Sequence, residues 1–378
     1  EGFHSLRAST QQFQRFTQAS VRDYRLILCL CAGSAHQSGL ANGLVFSTIN
    51  VQAPYDLHTR RTMSYQTPVV AGNTVSKADS QYASKPDVDG AKTLIGGKVT
   101  PWAGDCLTVT SPIIDAETGA RCVIGKMANM GEAEALQALD GAVTAWNRGR
   151  GEWPQMSIAG RIQKIQELVV ALKEQREAIA NALMWEICKN TADAAAEFDR
   201  TMKFIEASIE TLRESDTKTG AWTTASGVTA RTRRAAVGVT LALGPFNYPF
   251  NETYACLIPA LLCGNTVVMK IPNIGGLAHI LTMEIYARVL PPGVVNFVSG
   301  SGRATCPPIM KSGLVDTLAF IGGSKAADSL LKDHPKPHRL KVFSQLEGKN
   351  LGIILPDADL DVAVAQCVTG STNYNGQR

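Results

Sequence analysis

From Ala235 onward the sequence repeats one pattern, an apolar run closed by a glycine or proline turn and followed by a helical stretch. No other feature restricts the fold as much. The runs are AAVGVTLALG, TVVMKIP, VVNFVSG, LVDTLAFIG and LKVFSQL, and LGIILP continues the series. ETYACLIPALLCG reads as the helix behind the first run, and residues 275–290 as the helix behind the second. Strands that are apolar throughout, without alternation, are buried on both faces. When helices separate them, they imply a parallel sheet covered on both sides. The expected fold class is α/β, and ligands in such sheets bind just past the carboxyl ends of the strands.

Those positions carry chemistry. GPFNYPFN follows the first run, with Asn247 between two prolines, where an amide serves either as a turn former or as a donor to developing negative charge. Lys270 closes the second run; a lysine ending a buried strand is costly unless it meets an anion such as a phosphate. SGSGRAT follows the third run with Gly300 and Gly302, but without the last glycine of a dinucleotide fingerprint. FIGGSKAA follows the fourth, a Gly322–Gly323–Ser324 turn opening a helix whose N-terminus suits a phosphate.

Ahead of this region, residues 93–127 alternate apolar and polar residues around glycine and aspartate turns, as short antiparallel strands do. Three amphipathic helices follow. Their stripes are Leu136, Leu139, Val143 and Trp146; Ile158, Ile162, Ile165, Val169 and Leu172 behind a Ser157 cap; and Phe198, Met202, Ile205, Ile209 and Leu212. Residues 1–62 differ from the rest, with no lysine, six arginines and three acidic residues, and the first methionine is Met63. That composition fits a targeting peptide or translated upstream sequence preceding a start at Met63, the latter being the preferred reading. Little fixed structure is expected over residues 1–90.

The formal charge of +4 over 378 residues is too small and too dispersed for a nucleic-acid surface. The densest basic run, ARTRRAA at 230–236, reads as a solvated loop or hairpin. No apolar stretch approaches the roughly 18 to 20 residues that span a bilayer. Nine cysteines without a CxxC pair indicate free thiols in a reducing compartment. The His334 and His338 pair is interrupted by prolines and lacks further ligands, so no metal is expected.

Taken in order, GPFNYP, VVMKIP, NFVSGSG, FIGGS, LEGKN and NGQR resemble the aldehyde dehydrogenase superfamily from about Thr93 to Arg378. LMWEICKN at 183–190 and FNYP look most like its NADP-dependent non-phosphorylating glyceraldehyde-3-phosphate dehydrogenases. The resemblance implies a Rossmann-type cofactor domain over 91–345 and the start of a catalytic domain over 346–378. In that family the tail motif continues as GQ-x-Cys, and this cysteine is the nucleophile. The chain stops at Arg378, so the expected thiol lies one residue beyond it and the chain as it stands is expected to be inactive.

By the same resemblance, Asn247 donates to the oxyanion. The family's general base is the glutamate of Glu-Leu-Gly-Gly-Lys; here Gln345 stands at that position and Glu347 replaces a glycine. Glutamine cannot take a proton at neutral pH. If the strand continues through 347, Glu347 shares a face with Gln345, about 6 to 7 Å further along at ~3.3 Å per residue, and is the candidate base. The implied cofactor contacts are Leu243, Pro245, Phe246, Lys270, Pro272, Asn273, Gly302, Phe320, Gly322, Gly323 and Leu346. Where NAD-preferring relatives place a glutamate on the ribose, this chain has Asn273, which favours NADP and leaves NAD possible. Arg200, Tyr248 and Arg378 match the positions that hold the substrate phosphate, and a planar guanidinium suits that task.

The expected activity is oxidation of glyceraldehyde 3-phosphate to 3-phosphoglycerate with NADP, in a cytoplasmic homo-oligomer, either a dimer or a tetramer. A plastid or another organelle fits if the front segment is a targeting peptide. Two alternatives stand beside it. One is an aldehyde dehydrogenase for another substrate, either a semialdehyde or a reaction passing the thioester to coenzyme A. The other is an NADP-binding module without catalysis.

Overall fold

The protein, seen here as a computed structural model, is described over residues 84–348 and 350–373, together with the strand β1 (Thr74–Val75). Arg378 and the two readings of the front segment lie outside the described residues. Asn350–Asn373 falls in a compact unit separate from the body of the chain. That segment holds one helix, Leu360–Thr372, capped by the Asp359 carboxylate on the Asp361 and Val362 amides.

The expected parallel sheet forms the centre of the body. Its parallel strands are β9 (Val239–Leu243), β10 (Thr266–Lys270), β11 (Val295–Val298), β12 (Thr317–Gly322) and β13 (Lys341–Leu346), in the spatial order β13–β12–β9–β10–β11. Strands β9 and β10 are buried almost throughout, which explains their unbroken apolar runs. LGIILP does not continue the series: residues 351–355 form no ladder among the described residues.

The antiparallel region divides between two sheets. β3 (Lys92–Ile95) and β4 (Lys98–Pro101) pair as a hairpin and extend the central sheet, β3 lying antiparallel to β11. β5 (Cys106–Asp115) and β6 (Arg121–Ala128) pair in a second sheet, flanked by β1 and by β2 (Val88–Gly90). The arginine run leaves a small exposed hairpin, β7 (Trp222–Ala225) and β8 (Val228–Arg231), as a solvated element.

Helix α1 (Glu132–Trp146) buries Ala135, Ala138, Leu139 and Ala142, while Leu136 of the expected stripe is exposed. The helix lies flat against β10 and β11, where small side chains allow close approach. A Cβ on Gly141 would stand 2.7 Å from Asn296 Oδ1. After the single turn α2 (Glu152–Gln155) come α3 (Ile158–Glu174), α4 (Arg176–Ile187) and α5 (Thr191–Thr219). The Ser157 hydroxyl caps α3 by accepting the Gly160 N–H, and the expected stripes of α3 and α5 are core faces. α6 (Pro249–Leu262) follows β9. The single helix expected over 275–290 is instead two short ones, α7 (Leu277–Ile280) and α8 (Met283–Val289), broken where the Thr282 hydroxyl bonds to the His279 carbonyl. α9 (Gly302–Lys311) and α10 (Ser324–Asp333) complete the units. His334 donates through Nε2 to the Val315 carbonyl and accepts the Lys336 N–H at Nδ1, so backbone partners engage both ring nitrogens.

Candidate active site

Strand register assembles the site. Phe320 pairs with Leu243, Leu243 with Lys270 and Lys270 with Val298, so four strands end side by side. The turns beyond them carry Pro245–Tyr248, Pro272–Asn273 and Gly300–Gly302. Gly322 pairs with Leu346 at the next register. Residues scattered over a hundred positions of sequence thus share one edge of the sheet.

The turn after β9 is fixed from below. Tyr248 is the N-cap residue of α6 and Pro249 its first helical residue, a position that tolerates the missing N–H. Glu197, from α5, accepts the Phe250 and Asn251 N–H groups at 3.0 and 3.1 Å through Oε1. Its Oε2 pairs with Lys189, and both side chains are fully buried. The Lys189 ammonium stands 3.6 Å from the centroid of the Tyr248 ring, a cation–π contact. His279 reaches the same turn from α7, its Nε2–H donating to the Pro249 carbonyl at 2.9 Å. Burial pushes that imidazole down to about 4 and keeps it neutral. The Asn247 side-chain oxygen accepts the Tyr248 N–H at 3.1 Å, which fixes the oxygen end of the amide; its nitrogen is the end that can donate.

Arg200 lies exposed on α5, its guanidinium carbon 5.8 Å from the Tyr248 ring centroid. Two of the three expected phosphate contacts therefore meet beside Asn247, and the third, Arg378, is outside the described residues.

At the adjacent strand end Lys270 is buried, its ammonium bonding to the Ile271 carbonyl and to Asn273 Oδ1, the latter at 3.1 Å. Burial lowers its pKa to about 8, opposed by the nearby Cys306. Asn273 itself is exposed. A Cβ on Gly302 or on Gly323 would meet nothing within 4 Å, so both backbones border open space. An ammonium, an amide and open glycine backbones suit the phosphorylated ribose of a dinucleotide.

Glu347 does something the sequence did not anticipate. β13 ends at Leu346, so the shared strand face assumed for Gln345 and Glu347 does not extend to 347. Both oxygens of Glu347 are engaged by Ser324, one by its N–H at 2.6 Å and one by its hydroxyl at 2.8 Å. The carboxylate thus caps α10 at the turn expected to face a phosphate. The Ser324 bonds hold its pKa below the ordinary carboxylate value, which favours the unprotonated form and weakens it as a base. Gln345, Leu346 and Phe246 are exposed along this edge.

The sequence pointed to neither Glu186 nor Lys189 as individual residues. Both sit in LMWEICKN, and the signal was available: charges interrupting an apolar run are buried charges that need partners.

A family model described as aldehyde dehydrogenase family matches residues 107–378. Among curated relatives, the NADP-dependent glyceraldehyde-3-phosphate dehydrogenase of Streptococcus equinus is 33% identical over 231 residues, covering 60% of this chain and 48% of that protein. The Pisum sativum protein of the same name is 29% identical over 257 residues, covering 65% and 50%. The chain spans about half the length of the curated relatives it matches. Among solved structures, lactaldehyde dehydrogenase from Escherichia coli superposes with a TM-score of 0.66 at 25% identity, over 78% of this chain and 59% of that one. The NADP-dependent glyceraldehyde-3-phosphate dehydrogenase from Bacillus halodurans C-125, complexed with NADP, superposes at 0.64 with 26% identity, over 76% and 59%. By fold, by the order of its strand-end motifs and by this match, the chain belongs to the aldehyde dehydrogenase family.

Proposed function

We propose that the whole protein oxidises glyceraldehyde 3-phosphate to 3-phosphoglycerate with NADP. The observation that carries this reading is the meeting of Arg200 with Tyr248 next to Asn247, a guanidinium suited to phosphate near an amide suited to an oxyanion. A cysteine thiolate adds to the aldehyde, and the Asn247 amide donates to the oxygen that becomes negative. Bound NADP would supply the hydride acceptor, and water would then cleave the resulting thioester, releasing 3-phosphoglycerate and restoring the thiol. Lys270 and Asn273, hydrogen-bonded to each other, would hold its 2′-phosphate, with no carboxylate at position 273 to repel it. Leu243, Pro245, Phe246, Pro272, Phe320, Gly322, Gly323 and Leu346 border the rest, and the Gly302 backbone leaves room for it.

The test is Arg200→Leu. Loss of charge-assisted hydrogen bonds to a phosphate is expected to raise KM for glyceraldehyde 3-phosphate by about 10- to 100-fold. KM for unphosphorylated glyceraldehyde should not move. Equal changes for the two aldehydes would contradict the phosphate reading.

Lys270 supplies a second test. It carries its charge below about pH 8 and loses it above, and a bound phosphate favours the charged form. The ratio of NADP to NAD affinity is therefore expected to fall as pH rises beyond about 8, measured by titration calorimetry. A ratio flat from pH 7 to 10 would remove Lys270 from the 2′-phosphate site.

One observation favours a variant of this reading. With Gln345 neutral and Glu347 bound to Ser324, neither residue is set up to activate water for thioester hydrolysis. Transfer of the acyl group to coenzyme A would not need that base. Product analysis with and without coenzyme A separates the two.

A further inference from the structure

Glu186 is a carboxylate buried in an unusual way. It stands at the end of α4, 2% exposed, and no cation pairs with it among the described residues. Three consecutive backbone N–H groups converge on it instead, Gly275 at 2.7 Å and Gly276 at 3.0 Å on one oxygen, Leu277 at 3.0 Å on the other. Successive amides pointing inward form a concavity that only an anion fills well. Burial still pushes the carboxyl up to about 7, against the pull of the three donors, so the arrangement is costly to the fold.

That cost is spent on one loop. Residues 271–276 run from Lys270 at the end of β10 to the start of α7 and carry Asn273 at their exposed apex. Gly275 turns with φ +83°, and a Cβ on Gly276 would stand 2.5 Å from the Pro272 carbonyl and 2.6 Å from Met127 Sδ. The loop is therefore pinned at its far end by Glu186 and at its near end by the Lys270–Asn273 hydrogen bond.

We propose that Glu186 is a positioning residue for the nucleotide: by gathering the Gly275, Gly276 and Leu277 amides it shapes the loop that holds Asn273 against Lys270 and presents Asn273 beside it to the 2′-phosphate. It does not touch the ligand itself. The inference rests on the NADP reading above.

A glutamine at this position keeps the size but turns an N–H donor toward at least one of the three donors. Glu186→Gln is expected to weaken binding of NADP and of adenosine 2′,5′-bisphosphate by about tenfold, with NAD affected less, so that the NADP:NAD affinity ratio falls. Glu186→Asp, which keeps the charge, should recover part of that ratio. Titration calorimetry on the full-length protein, well below its unfolding temperature, gives all of these constants. A residue important only for folding would lower the unfolding temperature and leave the ratio where it was. An unchanged ratio in Glu186→Gln, or failure of both variants to fold at any temperature, would overturn the proposal. Wild-type protein that binds neither probe would instead overturn the NADP reading and this inference with it.

Discussion

Replacing Asn247 with alanine in the full-length protein is expected to lower kcat by about 10²- to 10³-fold, the loss of one oxyanion donor, or about 2.7 to 4 kcal/mol of barrier. The size follows from how firmly the turn is set. The Tyr248 N–H fixes the amide oxygen, Pro249 starts α6, and Glu197 and His279 hold that helix start from two sides. A donor held in place before the reaction costs nothing to reorganise during it. Binding of NADP should change far less than kcat, because Lys270 and Asn273 stand at a different strand end and the substitution keeps Leu243, Pro245 and Phe246. Asn247→Asp should be as slow or slower, since it replaces the donor with a negative charge facing the developing oxyanion. A kcat within threefold of wild type in Asn247→Ala would take the oxyanion role away from this residue.

Lys189→Met is expected to destabilise the protein by about 3–5 kcal/mol, because it leaves the Glu197 carboxylate buried without its countercharge. Two backbone N–H groups would remain on Glu197, too little to balance a full charge at zero exposure. Adding Glu197→Gln should recover part of the loss, since a neutral amide needs no counterion and still accepts a backbone hydrogen bond. Urea unfolding of the single and double variants measures both effects. The pair also supports Tyr248 from beneath, so the single variant should raise KM for the phosphorylated aldehyde even where it remains folded. A loss below about 1 kcal/mol would mean that water or another group reaches Glu197.

The sheet was legible because its strands are buried on both faces, and a short unbroken apolar run such as TVVMKIP, bounded by turn residues, suits a covered strand better than a helix. The α3 and α5 stripes were legible because each helix has one wet side. α4 went unassigned for the opposite reason: from Ile179 to Ile187 nearly every residue is buried, and a helix surrounded by protein loses its period. On α1 the expected stripe holds at Leu139, Val143 and Trp146, while Leu136 is exposed and Ala135, Ala138 and Ala142 complete the buried face, where contact with a sheet selects for small size. Asn247, Lys270, Tyr248 and Arg200 were singled out from strand ends and family motifs, and the structure places Asn247, Tyr248 and Arg200 near one another and Lys270 at the adjacent strand end. Glu186, Lys189 and Glu197 were missed as site residues because the turns they hold are distant in sequence: Glu186 meets amides about 90 positions away, and the Lys189–Glu197 pair reaches the Tyr248–Asn251 turn more than fifty residues on. Glu347 shows the same limit: its bond to Ser324, 23 residues back, depends on where β13 stops, and no local pattern marks that point.

The decisive experiment is product analysis of the full-length protein with glyceraldehyde 3-phosphate and NADP, without inorganic phosphate and without coenzyme A. NADPH and 3-phosphoglycerate are expected in equal amounts. NADPH that forms only after coenzyme A is added would replace hydrolysis with acyl transfer, and no NADPH under either condition would contradict the proposed activity.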